Sequence, residues 1–345
     1  MPSSRYIRQE IFEPIGAEGQ RRISAASAVI VGCGALGTNI ANNLARSGVG
    51  RLRLVDRDVV ELDNLQRQVL FDEDHVRRRM PKAAAAVERL RLVNSAIVLE
   101  AVVAEVSPAN IVALLAGADV VMDGTDNVEA RLLLNDACLK HRVPCVFAGA
   151  VGATGMVLAM VPGRTPCYRC LMAEIPAPGT VPTAATAGIL HSTTAVVAAL
   201  QCTSALRLLT GAAQPGDEML SVDVWEQEFA RLRVPRRAEC PACGLGRYEF
   251  LTARPARQAQ GRPGGRARAV PGTGAVWLPA MAEVELSRLA EAWRAVGQVV
   301  ANEWLVSLTA GEQEVVVFAD GRCLVKGAGD AAAAVELAER HLLLA

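Results

Sequence analysis

Apolar residues along this chain arrive in short continuous runs rather than in strict alternation. Runs at 28–32, 52–56, 97–103, 118–123 and 143–148 are rich in Val, Ile, Leu and Ala and are bounded by Gly, Pro or polar clusters. Such runs read as strands buried on both faces. Helical periodicity fills the intervals at 35–47, 80–93, 107–115 and 127–141. Strand and helix in alternation predict an α/β fold: a Rossmann-like, doubly wound, mostly parallel sheet with helices on both faces. Ligands of such sheets bind beyond the carboxyl ends of the strands. A further apolar helix is expected over Ser192–Leu209. The pattern then changes. Thr252–Gly274 is rich in Pro, Gly and Arg and lacks apolar periodicity, as a flexible linker does. Periodicity returns with helices expected at 281–296 and 330–343 and strands at 302–309, 314–318 and 323–326. The expected organisation is one domain over 1–250, a linker over 251–274 and a small α+β appendage over 275–345.

The first strand runs directly into Gly32, Gly34 and Gly37 in G-x-G-x-x-G spacing, and the second ends on Asp56. Gly32 allows a tight turn, Gly34 lets the backbone approach a phosphate, and Gly37 lets the helix pack on the strand. The start of that helix presents free N–H groups and a positive dipole end to an anion. Asp56 stands where an acid accepts hydrogen bonds from a ribose. This much fits a dinucleotide as well as a nucleoside triphosphate, so an NAD-dependent dehydrogenase and a nucleotide-binding scaffold without turnover both stay open.

The next segment separates them. Asn64, Gln66, Arg67 and Gln68 concentrate hydrogen-bond donors beside the glycine turn, and Arg67 can fork onto phosphate oxygens. Lys82, at a helix start after Pro81, supplies a point charge. The fourth strand ends in Asp123-Gly124-Thr125-Asp126-Asn127, where a carboxylate can hold Mg²⁺ across phosphate oxygens or simply cap the next helix. A dehydrogenase has no use for this set.

Composition bounds the partners. Lys plus Arg equals Asp plus Glu at 36 each, which argues against nucleic acid. No 18-residue uninterrupted apolar run and no hydrophobic core near the N-terminus occur in the 345 residues, so no membrane association and a cytoplasmic location are expected. Nine cysteines then read as reduced thiols or metal ligands. Cys167 and Cys170, with Cys240 and Cys243, form two C-x-x-C knuckles, the pattern of a closed structural zinc site. Cys33, Cys138, Cys145 and Cys202 read as small core residues, and His191 as a helix-start residue.

DxDxxxxxNLQRQ from Asp56 through Asp58 to Gln68, then Pro81-Lys82, then the strand ending in Asp123–Asn127, resembles the ThiF/MoeB family of ubiquitin-activating-type adenylyltransferases over roughly Arg5 to Gly244. The resemblance implies Mg-ATP as substrate, held by Gly32, Gly34, Gly37, Asp56, Asp58, Asn64, Gln66, Arg67, Gln68, Lys82, Asp126 and Asn127. It assigns the magnesium to Asp126 and implies catalytic roles for Asp126, Arg67 and Lys82. It also implies that Arg8 reaches the partner's ATP in a homodimer. The implied reaction adenylates the terminal glycine of a small ubiquitin-fold sulfur-carrier protein ending in Gly-Gly; a peptide or metabolite carboxylate is the alternative. Relatives carry a cysteine in the crossover loop where Val181-Pro-Thr-Ala184-Ala-Thr-Ala-Gly188 stands here. With Ala184 at that position and no rhodanese pattern around Cys323, sulfur is expected from a separate donor protein.

Overall fold

The computed structural model describes residues 5–172, 174–176, 180–212, 215–252, 267–270, 274–281 and 284–343. They fall into two compact units: Met1–Glu73 with Pro81–Ala253, and Asp74–Met80 with Arg254–Ala345.

In chain order the elements up to Ala253 are α1 (Ile7–Ile11), α2 (Gly16–Ala25), β1 (Ser27–Val31), α3 (Ala35–Ser47), β2 (Arg51–Asp56), a 3-10 turn (Leu62–Asn64), α4 (Glu73–Arg77), α5 (Lys82–Val93), β3 (Val98–Val103), α6 (Ile111–Leu115), β4 (Val120–Asp123), α7 (Val128–His141), β5 (Cys145–Val151), β6 (Thr154–Met160), a 3-10 turn (Tyr168–Leu171), α8 (Ala184–Ala187), α9 (His191–Thr210), β7 (Glu218–Asp223), β8 (Glu228–Arg233) and α10 (Glu249–Thr252). The first unit is built on an eight-stranded sheet ordered β3-β2-β1-β4-β5-β6-β7-β8. The strands from β3 to β5 run parallel, and β6, β7 and β8 add antiparallel. That antiparallel edge was not expected from the sequence.

Register places the site. Val31 lies opposite Val55 on one side and Asp123 on the other. The chain therefore leaves β1 between the ends of two neighbours that both terminate in aspartate, β2 in Asp56 and β4 in Asp123. From β1 the connections run outward in opposite directions, and the crevice at such a reversal is where open α/β sheets bind ligand. β1 and β4 are almost entirely buried, as their unbroken apolar runs require.

The helix expected at 35–47 forms over those residues and closes on Gly48, in the left-handed region with φ +81°. The polar lead folds into α1 and α2; Gln9 and Gln20 both donate to Ser47 O at 3.0 and 3.1 Å, and Asn94 donates to the Tyr6 hydroxyl at 2.8 Å. Among the described residues α9 is long and apolar enough to cross a membrane by length and composition. In this fold it packs on α3, β5 and β6, with Val197, Ala198, Gln201 and Cys202 buried.

The second unit comprises β9 (Arg268–Val270), β10 (Ala275–Leu278), α11 (Leu286–Trp293), β11 (Gln298–Ala301), β12 (Leu305–Ala310), β13 (Gln313–Phe318), β14 (Cys323–Lys326) and α12 (Ala331–Leu342). Its six-stranded antiparallel sheet runs β11-β12-β13-β14-β10-β9. Leu289 and Trp293 of α11 and Leu337 of α12 pack with Val306, Val315 and Val325 of the sheet. Trp293 donates its indole N–H to His341 O at 3.0 Å. The segment 74–80 belongs here: Asn302 donates to Arg78 O at 3.1 Å, and Arg79 pairs with Glu314. The expected linker is corrected at two points. Its first residues end α10, and Arg268–Val270 form β9 by pairing with β10, a partner no local pattern reveals. Residues 253–266 and 271–273 of that stretch lie outside the described residues.

Candidate functional site

The turn after β1 is built from crossing main chains. Gly32 has φ +91°, and a Cβ on it would lie 2.5 Å from Gly124 O. A Cβ on Gly37 would lie 1.8 Å from Gly32 O, and one on Gly124 2.5 Å from the same oxygen. Gly32, Gly37 and Gly124 are therefore glycines for packing reasons. Gly34 differs: a Cβ there meets nothing within 4 Å. It caps α3, and the space in front of it is open main-chain surface at a helix N-terminus, which suits a phosphate.

Asp56 closes one wall. Its two oxygens accept from Cys33 N at 2.6 Å and Asp58 N at 2.7 Å. Burial and the charge of Asp58 push its carboxyl up to about 6, against the pull of Lys82 and the two main-chain donors. Lys82 opens α5 directly after Pro81, as the sequence predicts. Its N–H donates to Asp58 O at 2.8 Å and its ammonium to Asp58 Oδ2 at 3.2 Å. Burial opposes its charge, yet Asp58, Asp56 and, more weakly, Asp126 hold the ammonium well above the usual lysine range. Lys82 is thus paired with Asp58 and feels the charge of Asp56 and, more weakly, Asp126.

The loop between them is already hydrogen-bonded. Arg67 donates to Asp63 O at 2.6 Å. Asn64 is buried, accepts from Glu61 N at 3.3 Å and donates to Asp63 Oδ1 at 2.9 Å. Gln66 is exposed, whereas Gln68 is buried with its Oε1 unpartnered.

The loop after β4 divides its acids. Asp123 is fully buried: Oδ1 accepts Thr125 N at 2.9 Å and Thr125 Oγ1 at 2.7 Å, and Oδ2 accepts Arg131 Nε at 3.0 Å. These bonds occupy three of the carboxylate's roughly four lone pairs. Asp126 is exposed, and its carboxylate suits an oxygen-seeking cation. Asn127, expected among the nucleotide contacts, caps α7 by accepting from Ala130 N at 2.8 Å. The capping reading considered for Asp126 therefore belongs to Asn127. Two contributors left no local signal in the sequence. Arg131 grips this loop, and Gln201 of α9 donates its single amide nitrogen to Asp123 O at 2.9 Å and Val146 O at 2.7 Å, bridging β4 and β5. Arg8 lies exposed on α1, and none of the described hydrogen bonds or ion pairs joins it to this cluster.

The four knuckle cysteines come together although the knuckles are far apart in the chain. Their sulfurs all lie within 4.8 Å of one another, with Cys167–Cys170 at 3.9 Å, Cys167–Cys240 at 3.7 Å and Cys170–Cys243 at 3.4 Å. A tetrahedral ion with Zn–S bonds of about 2.3 Å sets its sulfurs roughly 3.8 Å apart. The donors fit zinc. Hydrogen bonds among the thiols hold Cys170 below its usual range and push Cys167 and Cys243 up.

No nucleophilic thiol stands at the crossover segment. Ala184 opens α8 there. Cys202 is buried and donates to Ile40 O at 3.7 Å; burial pushes its thiol up to about 12, and that of Cys33 well above the usual range. Both are core residues, as expected from the sequence.

Comparison with known proteins agrees with the geometry. A model described as the ThiF family matches residues 6–242. The sulfur carrier protein ThiS adenylyltransferase of Bacillus subtilis is 40% identical over 335 residues, covering 96% of this chain and 97% of that protein. The sulfur carrier protein adenylyltransferase of Thermus thermophilus is 39% identical over 246 residues, 70% of this chain and 90% of its own. The crystal structure of E. coli MccB with ATP shares the fold, with a TM-score of 0.62 at 24% identity over 70% of this chain and 75% of that one. With the family pattern spanning most of its length and a full-length relative at this identity, the chain belongs to the ThiF family.

Proposed function

We propose that this chain adenylates the C-terminal glycine carboxylate of a small ubiquitin-fold sulfur-carrier protein of the ThiS/MoaD kind and releases pyrophosphate. One observation carries the reading. Lys82, paired with Asp58 at 3.2 Å beside Asp56, converges with the open Gly34 at the end of β2, on a chain that matches a ThiS adenylyltransferase over 96% of its length.

ATP phosphates on Gly34 and the α3 N-terminus replace Asp58 as the partner of Lys82, and Arg67 leaves Asp63 for the same oxygens. Asp56 accepts from the ribose, and Asp126 holds magnesium. The metal supplies charge neutralisation between phosphate oxygens. The carrier carboxylate, ionised at neutral pH, needs no general base. Its oxygen bonds to the α-phosphorus as the bridge to the β-phosphate breaks, and the electron pair leaves with pyrophosphate. What the protein adds is positioning and charge.

Arg8, exposed on α1, serves the site of a second copy in a homodimer. Ala184 leaves no crossover thiol, so sulfur reaches the adenylate from a separate donor protein. The zinc set staples the segment after β6 to the segment after β8. Cys33, Cys138, Cys145, Cys202 and Cys323 are unpaired buried thiols, which suits the cytoplasm. The test is ATP–pyrophosphate exchange with carriers ending in Gly-Gly. Exchange that requires one such carrier and its terminal glycine supports the reading; exchange driven by a free peptide or metabolite alone replaces the substrate.

A further inference from the structure

Each C-x-x-C knuckle is closed by hydrogen bonds of its own. In the first, Cys170 N donates to Cys167 O at 2.9 Å, and Tyr168 N donates to Asn135 Oδ1 of α7 at 2.9 Å. In the second, Gly244 N and Leu245 N donate to Cys240 O at 3.0 and 2.9 Å, and Arg236 Nη2 donates to Cys243 O at 3.0 Å. A Cβ on Gly244 would lie 2.0 Å from Ala238 O, so this turn is drawn tight. Neither set of bonds joins one knuckle to the other.

Arg237 makes that connection. Its main-chain carbonyl accepts Cys240 N at 3.2 Å, at the approach to the second knuckle. Its side chain crosses to the first, where Nη2 donates to Arg169 O and to Met172 O, both at 3.0 Å. Those carbonyls stand on either side of Cys170 in the chain, and Met172 O also accepts from Arg169 Nη1 at 2.9 Å. One residue therefore fixes the segment of Cys170 with its side chain and that of Cys240 with its main chain. Nε of the same guanidinium is buried with no hydrogen-bond partner among the described residues. A donor left over on a buried cation is costly, and nearby negative charge offsets the cost. Zinc held by four thiolates is a net anion.

We propose that Arg237 is a positioning residue for the metal, a latch that holds the two knuckles at the spacing of a tetrahedral ion and slows the ion's escape. The proposal rests on the zinc fit of the four cysteines described above. In a site closed only by its metal, the ligands are brought together when the ion arrives, and binding must also order the chain. Here the knuckles are joined beforehand by two hydrogen bonds from a cation, which are stronger than neutral ones. The guanidinium plane sets their direction, and a lysine ammonium on a flexible stem does not reproduce it. Groups that orient metal ligands in this way are worth about 10–100-fold in metal affinity. In the rival reading Arg237 only fastens the chain after β8 to the chain after β6. That reading predicts the same loss of stability with and without metal, and an unchanged hold on zinc.

The experiment uses the full chain loaded with zinc, together with Arg237→Met and Arg237→Lys, all keeping the four cysteines. Zinc release to an excess of chromogenic chelator is followed, and the absorption of the cobalt-substituted chains is recorded. Arg237→Met should release zinc about 10–100-fold faster than the parent. Its cobalt form should show shifted ligand-field bands, which report a distorted tetrahedron of sulfurs. Arg237→Lys, which keeps the charge and loses the plane, should also release zinc faster. Urea titrations should show Arg237→Met losing more stability in the loaded chain than in the metal-free one. Release is read from the loaded chain, so it decides the matter should the metal-free variant fail to fold. Parental release from both variants overturns the latch. Parental release from Arg237→Lys alone shows that charge suffices and overturns it as well, as does an equal loss of stability with and without metal. A parent chain that takes up neither zinc nor cobalt overturns the zinc fit itself, and the latch falls with it.

Discussion

The loops that follow β2 and β4 flank β1 in the same sheet and both begin with aspartate, yet they are prepared differently. After β2, the cations are held by protein partners: Lys82 by Asp58, Arg67 by Asp63. After β4, the buried aspartate is spent on its own loop, and a second one three residues on is left exposed. In the proposed reaction the first loop exchanges protein contacts for phosphate contacts on binding. The second is fixed beforehand and presents one carboxylate. Preorganisation of this kind is what electrostatic catalysis requires, since groups already in place need no rearrangement during the reaction.

The sharpest way to break this comparison is to remove each aspartate in turn. Asp123→Ala strands the buried Arg131 and is expected to cost about 3–5 kcal/mol of stability, read by chemical denaturation. Asp126→Ala is expected to leave the melting temperature nearly unchanged while lowering pyrophosphate exchange about 10³-fold, roughly 4 kcal/mol of barrier. Equal effects of the two on stability would erase the distinction between the loops.

A pH series probes the first loop. The Asp56 carboxyl sits at about 6 when folded, above its ordinary 3.8. The folded state therefore holds that proton more tightly than the unfolded chain does. Its contribution to stability is full below about pH 4 and is lost as pH rises toward 6, by no more than about 3 kcal/mol. Asp56→Asn should flatten that decline in urea titrations without nucleotide. ATP affinity runs the other way, rising through pH 6 as the ribose acceptor ionises. The smallest effect expected is Gly34→Ala. Its φ of −82° and open surroundings predict stability within about 0.5 kcal/mol of the parent. ATP affinity should fall about tenfold as a methyl group enters the phosphate space. Calorimetric titration with ATP checks it, and an unchanged affinity would move the phosphates elsewhere.

Much of this site could be read before any coordinates. The strand, glycine turn and helix around Gly32–Ser47 carry their signal within a short window, and Lys82 follows a proline that announces the helix it opens. The two C-x-x-C knuckles show only half their evidence locally, but the chemistry of four thiols supplies the rest. What escaped depends on residues distant in the chain. Gln201 reaches Asp123, and Asn135 reaches Tyr168 N, with no periodicity or spacing to announce either. A short polar triplet does not reveal that Asn127, rather than Asp126, turns back to cap the helix. The antiparallel β6–β8 edge and strand β9 likewise exist by virtue of their pairing partners. Local pattern cannot specify them.

The central claim is that a carrier's terminal carboxylate takes AMP from ATP at this site. It is tested most directly by intact-mass measurement of a Gly-Gly carrier after incubation with the chain, Mg²⁺ and ATP. The account predicts a carrier heavier by one adenylyl group at its last glycine, absent when that glycine is deleted and absent with Asp126→Ala. A carrier adenylated elsewhere, or left unmodified while a free peptide or metabolite acquires the AMP, would contradict it.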